Sequence, residues 1–473
     1  MCNRNSTNIQ RRDFLKLAAV GTGALVAGSG GCLKNQMISA NPRPLDGKRI
    51  LTFNSCIRVN QIEVTRTRNA GFDEYDRHTP ENIKTLRQAL ADGWPEARMT
   101  WAMSWQALHD QRDHYKESRN LVRQFHDKYG DDVTFIPGAY FANMYNTREQ
   151  VNRDIHEGLE QARKIMGGDF QPKCLIAGFL SSANQQYLAE QEGIHVCQGN
   201  IWSQYAIDNG DGDGSICYPY YPSKEHFCKP AQNPIDFVDC VNLDGWTIDF
   251  LCGMRLGLKG GKGKDAYNSR MGVAPIETIG WHGPDKGLEQ MTECTAVHFD
   301  KGFELNNWAW VTNMWEISLV PQIGHLDVLT RWVENIRTRW PDAQCPLLGD
   351  FGEMWRKQHQ NNDGMNYRFV QRGTGIGGSY ENLEIRWFMN KKFRLALLRD
   401  WHKDTPEKVI DFTRYDITTE EPQDLQRNWS LMGQINQKQI RPQDKPILLT
   451  ELPSEDQQLI YTMYKELKTL KNL

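Results

Sequence analysis

Three carboxylates stand where chemistry on a sugar could be done. Glu316 follows Trp315, while Asp350 and Glu353 lie in Gly349-Asp350-Phe351-Gly352-Glu353-Met354-Trp355-Arg356. Each is expected at a strand end, in a turn that holds Gly or an aromatic ring. Two carboxyl groups flanking one glycosidic bond divide the work: a protonated one donates to the leaving oxygen, and an ionised one activates water or attacks. An indole beside the acid raises its pKa by desolvation. The plainer reading is a structural ion pair, such as Glu353 with Arg356 at three-residue spacing. Substrate contacts are expected from Asn54, Trp101, Trp105, Tyr140 and Trp202. Aromatic faces stack on the half-apolar faces of sugar rings, and 15 Trp and 16 Tyr leave some to spare beyond core filling.

A second cluster is His282 in Gly280-Trp281-His282-Gly283, with His298 and Asp300 in Val297-His298-Phe299-Asp300. On a strand, His-x-Asp puts both side chains on one face. Imidazole with carboxylate is a common set for a divalent metal. A histidine satisfied by ordinary hydrogen bonds is the plainer alternative. Asn209-Gly210-Asp211-Gly212-Asp213-Gly214 opens like a calcium loop, but Tyr220 stands where the closing Glu belongs, so a turn-rich surface loop is expected. No P-loop or G-x-S-x-G is present, and Gly373-Thr374-Gly375-Ile376-Gly377-Gly378 does not lead into a helix pattern. A net charge of −3 without a basic stripe argues against nucleic acid as a partner.

The amino terminus carries an address. Arg11-Arg12-Asp13-Phe14-Leu15-Lys16, followed by an apolar stretch over 17–28, matches a twin-arginine export signal. The stretch is too short and too rich in Gly and Ala for a membrane span. Ser29-Gly30-Gly31-Cys32 reads as a lipoprotein site with Ser in place of the usual Leu. Lipidation of Cys32, with membrane attachment, is expected; cleavage between 28 and 40 is the alternative. The expected location is the periplasm or a membrane-anchored lipoprotein, and the first partner is the twin-arginine export machinery. The nine cysteines that follow Cys32 include no C-x-x-C pair, and folding before export precludes a disulfide framework, so buried thiols are expected.

Positioning elements follow a β/α rhythm. Strands are expected at 49–55, 98–103, 133–137, 174–179 and 194–197. Helices are expected at 80–93, 115–129, 148–166 and 182–192, with Thr79 and Thr147 as caps and Gly93, Gly167 and Gly193 as stops. Such a series calls for a parallel sheet that curls into a barrel, with its active-site loops after the strands. Residues 203–293 read as long loops carrying one strand near 246–251. Further strands are expected at 307–317, 297–300 and 346–350, and a helix at 325–340. After about 367, short strands at 384–388, 394–398, 408–412 and 447–449 precede an amphipathic helix at 455–470. The fold class is thus α/β: a distorted (β/α) barrel with an appended β-rich C-terminal domain. Its divisions are a signal at 1–32, a linker at 33–47, the barrel at 48–365 and the β-rich domain at 366–473.

Ile50-Leu51-Thr52-Phe53-Asn54 as first strand, the helix at 79–93, Arg98 to Trp101 as second strand and the crossover at 179–196 resemble the barrels of the polysaccharide-deacetylase and related glycoside-hydrolase superfamily. The chain as a whole resembles an uncharacterised family of exported bacterial proteins with a barrel and a small C-terminal domain. That resemblance implies a glycan substrate and, in the deacetylases, a divalent metal held by an Asp pair and a His-x-x-x-His pair. Here Asn54-Ser55 and Pro137-Gly138-Ala139-Tyr140-Phe141 stand instead, so that metal set does not carry over. Weight therefore shifts to a two-carboxylate hydrolase. The alternatives are a metal-dependent deacetylase or esterase built on His282, His298 and Asp300, and a glycan-binding lipoprotein without catalysis.

Overall fold

A computed structural model describes residues 43–63, 66, 69–201, 214–247, 249–251, 275–375, 381–403, 405–422 and 445–469. The expected export signal, Cys32, Trp202, Cys252 and most of the 209–214 loop lie outside the described residues.

The chain enters through β1 (Arg49–Ile57), makes a hairpin of β2 (Asn60–Glu63) and β3 (Asn69–Asp73), and continues through β4 (Met99–Ser104) and β5 (Asp132–Ile136). Then come β6 (Leu175–Ile176), β7 (Val196–Asn200), β8 (Val241–Asp244) and β9 (Ala309–Glu316). The parallel strands form two sheets, in the orders β5-β4-β1-β9 and β6-β7-β8. Local hydrogen bonds bridge their edges. Thr134 Oγ1 donates to the Cys174 carbonyl at 2.5 Å, and Thr247 N to the Thr312 carbonyl at 3.1 Å.

Strand alternation sorts the side chains. Leu51, Phe53 and Ile57 face the helices, whereas Ile50 and Cys56 join an inner cluster with Trp310 and Met314. Thr52, on the inner side, bonds Thr312 Oγ1 at 2.9 Å and accepts from Trp310 Nε1 at 2.9 Å. Helix Pro80–Gly93 is set by Thr79 Oγ1 accepting from Asn82 N, by Pro80 in its first turn, and by Ile83, Leu86 and Leu90 on its buried face. Gly93 lets it approach helix Asp327–Arg339: a Cβ there would sit 2.4 Å from Val333.

Beneath that helix, Arg87 is locked to Asp131 through Nε at 2.7 Å and Nη2 at 3.1 Å. Asp131 also accepts from Trp101 Nε1 at 3.0 Å and Met99 N at 3.1 Å. Trp101, expected in the cleft, therefore belongs to the outer layer; on β4 it has the parity of Met99 and Met103, which face the helices.

Three element expectations are corrected. Residues 346–350 are not a strand but lead into helix Leu348–Gln358. Gly349 and Gly352 lie one turn apart and let this helix press on Lys173 and Val196, where added Cβ atoms would meet neighbours at 2.4 Å. Residues 297–300 continue helix Pro284–Ala296 as a π turn, so His298 and Asp300 do not share a strand face. The middle strand is β8, ahead of 246–251. All eight described cysteines are buried thiols.

From Asn366 an antiparallel sheet follows: β10 (Asn366–Arg372), β11 (Leu383–Asn390), β12 (Phe393–Asp400), β13 (Lys408–Arg414) and β14 (Ile447–Leu448). One face, with Tyr367, Phe369, Ile385 and Trp387, shares the cluster of Trp308, Trp310 and Phe351. The other, with Phe393, Leu395 and Val409, is covered by Ile460 of helix Ser454–Met463 and by Tyr464.

Candidate active site

The carboxyl ends of the parallel strands carry the polar chemistry. Glu316 ends β9 and pairs in register with Cys56 of β1. Just beyond β1, Arg58 reaches Glu316 Oε2 through Nη2 at 3.0 Å. The same guanidinium grips Glu74 through Nε at 2.6 Å and Nη2 at 3.2 Å. His78, one helical turn on, meets Glu74 at 3.1 Å. Arg58, Glu74 and His78 are buried, while 18% of the Glu316 side chain is exposed, which makes it the one acid of the group that a substrate can reach.

Burial works against ionised Glu74, but hydrogen bonds from His78 and Arg58 outweigh it and hold the carboxyl at about 2. Burial lowers His78 against the pull of Glu74. Burial also pushes the Cys56 thiol up to about 12, more than the nearby Arg58 can offset. A thiolate nucleophile is therefore not what Cys56 supplies at neutral pH.

Tyr140 closes the other side. Gly138, Ala139 and Tyr140 after β5 have φ of 60°, 49° and 85°, left-handed values that Ala and Tyr rarely adopt. Strain of this kind persists where the surroundings enforce it, often at functional sites. The turn sets the Tyr140 hydroxyl against Cys56 and its ring 6.1 Å from that of Trp246. Gly178 makes room, since its Cβ would lie 2.7 Å from Tyr140 Cδ1 at a φ of 72°. Gly178→Ala is expected to displace Tyr140, cutting turnover and costing roughly 1–3 kcal/mol, read by activity and thermal unfolding together. An unchanged melting temperature with full activity would refute this packing role.

Deeper in, Asn54 and Asn200 each hold a fully buried amide with neither atom hydrogen bonded, and Thr100 Oγ1 and Gln198 Oε1 are in the same state. Unsatisfied buried polar groups are costly, and several of them along β1, β4 and β7 call for a functional reason. Asn54, expected to touch substrate, is fully buried on β1, two residues before Cys56.

Glu316 is the only one of the three predicted acids at this end. Asp350, on a helix, is held by Lys173 at 2.7 Å and Arg98 at 3.2 Å. Arg98 immediately precedes β4, and Lys173 precedes β6, so Asp350 lies at the amino ends of the strands. Glu353 pairs with Arg356 at 3.0 Å, and Arg356 also holds Asp239, just ahead of β8. The expected sharing of one cleft by Glu316 and Asp350 is not realised. Trp105 follows β4, but its ring carries Arg66 at 3.7 Å and stacks with His109 at 4.4 Å.

The expected metal set is also dispersed. His298 is buried against Phe250 and Phe369, contacts the Tyr218 hydroxyl at 3.1 Å, and burial lowers it to about 3. Asp300 instead accepts from Trp340 Nε1 at 2.6 Å and pairs with Arg339 at 2.5 Å. His282 ends helix Pro275–His282. Among the described residues no group of three or more His, Cys, Asp or Glu is arranged to hold a metal ion. The described donor set does not fit the divalent ion of the deacetylases.

Sequence reasoning missed Arg58, Glu74 and His78. The spacing of Glu74 and His78 at i, i+4 was visible, but nothing local distinguishes it from a solvated pair.

Residues 43–389 match the model of a domain of unknown function with solved structures, DUF3863. The chain belongs to the DUF3863 family. Residues 394–467 match a companion domain of unknown function, DUF3864. A crystal structure from Parabacteroides distasonis, provisionally named a glycoside hydrolase/deacetylase, is 50% identical, with a TM-score of 0.85 over 90% of this DUF3863 chain and 100% of its own. A Pseudomonas aeruginosa protein provisionally named a polysaccharide deacetylase is 11% identical, with a TM-score of 0.42 over 68% of this chain and 96% of its own. The GH57 branching enzyme of Thermococcus kodakaraensis is 10% identical, with a TM-score of 0.39 over 65% of this chain and 71% of its own. No curated protein matches this DUF3863 sequence.

Proposed function

We propose that this DUF3863 protein is an exported carbohydrate-active hydrolase whose reaction centre lies at the carboxyl ends of β1, β5, β7 and β9, with Glu316 as the reacting carboxylate. The observation that carries this is the partly exposed Glu316, held by the buried Arg58–Glu74 pair beside Tyr140, with the unsatisfied amide of Asn54 two residues before Cys56 on β1. The name of the half-identical Parabacteroides distasonis protein supports a glycan as substrate. Arg58 fixes the carboxylate geometrically, and the neutral amides supply donors and acceptors for sugar hydroxyls.

The test is release of reducing ends or acetate from a panel of polysaccharides by the full chain. Asp350→Asn and Glu353→Gln are expected to keep activity within about twofold, because surface ion pairs remote from the site contribute little. Loss of activity in either, with unchanged stability, would return the reaction to the far end. A protein that binds glycan but releases nothing would be a binding lipoprotein.

The Arg11-Arg12 motif supports export, and Ser29-Gly30-Gly31-Cys32 supports a lipid on Cys32. Cys32→Ser is expected to move the protein from the membrane to the soluble fraction. An unchanged distribution on fractionation would argue for cleavage without lipid.

A further inference from the structure

The hairpin after β1 turns one aromatic ring out to solvent. Asn60 pairs with Asp73 and Ile62 with Ala70, so β3 takes three steps where β2 takes two. The extra residue is a β-bulge, a device that re-aims a side chain at sheet edges and beside active sites. Gly71 sits in it with a φ of 84°, and an added Cβ there would lie 2.9 Å from Gln61 Oε1. Phe72 follows and is 69% exposed, the most exposed Phe, Tyr or Trp among the described residues. Singly exposed apolar side chains are ordinary, but this one is carried by a backbone pinned on both sides. Gln106, just after β4, accepts from Asn60 Nδ2 at 2.9 Å and donates to Asn69 Oδ1 at 2.7 Å, and its backbone N–H donates to Glu63 at 3.1 Å. Asp73 and Glu74, the two residues after Phe72, are held by Arg112 at 2.8 Å and by Arg58 at 2.6 Å. The ring is thereby tied to the reaction centre. Arg58 Nη2 lies 3.2 Å from Glu74 Oε1 and 3.0 Å from Glu316 Oε2. With only two residue steps from Glu74 back to Phe72, the Phe72 Cα stands within roughly 20 Å of the Glu316 carboxylate.

We propose that Phe72 is a stacking site for one sugar unit of a glycan chain whose other units reach Glu316, so that the substrate is an oligo- or polysaccharide rather than a single glycoside. The proposal rests on the hydrolase reading above and deepens it. A phenyl face covers the half-apolar C–H face of a sugar ring. Gln61, exposed across from the bulge, carries an amide that can donate to and accept from sugar hydroxyls. One isolated ring suits one sugar unit. A protein partner would need a cluster of anchors with a packed apolar centre around them. A contact this far from the reacting carboxylate binds ground state and transition state alike. It therefore acts on KM and leaves the chemical step to the groups around Glu316.

The experiment compares the full chain with Phe72→Ala and Phe72→Trp by affinity gel electrophoresis through soluble starch, arabinoxylan, galactomannan and polygalacturonate. KM and kcat are measured on each polymer that releases product. Phe72→Ala is expected to weaken binding of the retarding polymer about 3- to 10-fold and to raise KM by the same factor, the usual worth of one aromatic contact. Thermal unfolding should not move, since the side chain lies mostly in solvent. Phe72→Trp should restore both values, because the indole offers a flat face of at least equal size. Retardation and KM that Phe72→Ala leaves unchanged would overturn the proposal, and continued product release would keep the hydrolase reading. Retardation that depends on Phe72 without product release would support the stacking site and remove the hydrolase reading. A chain that no polymer retards and that releases no product would remove both.

Discussion

Glu316→Gln is expected to lower turnover by roughly 10²–10⁴-fold, the usual worth of a carboxyl group acting directly in proton transfer or attack. The fold should tolerate the change. Arg58 keeps both of its bonds to Glu74, so no buried charge is left unpaired. The Gln amide oxygen can still accept from Arg58, so the change weakens one charge-assisted hydrogen bond and should cost about 1–2 kcal/mol. The measurement is product release alongside thermal unfolding. A variant with more than half the wild-type turnover would remove Glu316 from the reaction. A variant that unfolds many degrees lower would make the residue structural instead.

The largest effect on stability is expected at Asp131→Ala, about 3–5 kcal/mol, from a pair distant from the reaction centre. Arg87 is fully buried and would keep its charge without the carboxylate that grips it at 2.7 Å. Trp101 Nε1 and Met99 N would lose their acceptor at the same time. Helix Pro80–Gly93, β4 and the loop before β5 meet at this one carboxylate, so the loss should destabilise all three together. A urea titration measures it. A shift worth under about 1 kcal/mol would mean that Arg87 finds water or another partner once Asp131 is gone.

Some of this architecture was readable in advance because its causes are local. Thr79-Pro80 starts a helix and Gly93 stops it through backbone preferences that act within a few residues. The apolar run from Ile50 to Phe53 marks a strand, and one forms. Residues 346–350 misled because an apolar run before Gly suits a strand as well as a buried helix. What decided between them was close contact with Lys173 and Val196, far away in the chain. His298 misled likewise: a strand would have aimed it with Asp300, whereas the helix before it continued through both.

The amino-acid sequence alone determined the β/α order and the caps and stops of the helices, since each depends on neighbours within one or two turns. Only the tertiary structure decided which acid belongs to the reaction centre. Parallel strands have two ends, and the chemistry gathers where Arg58, Glu74, Tyr140 and Glu316 converge across gaps of up to 258 residues. A carboxylate at one end of a strand and one at the other look alike along the chain. They are told apart by what packs around them, and that is a property of the folded molecule.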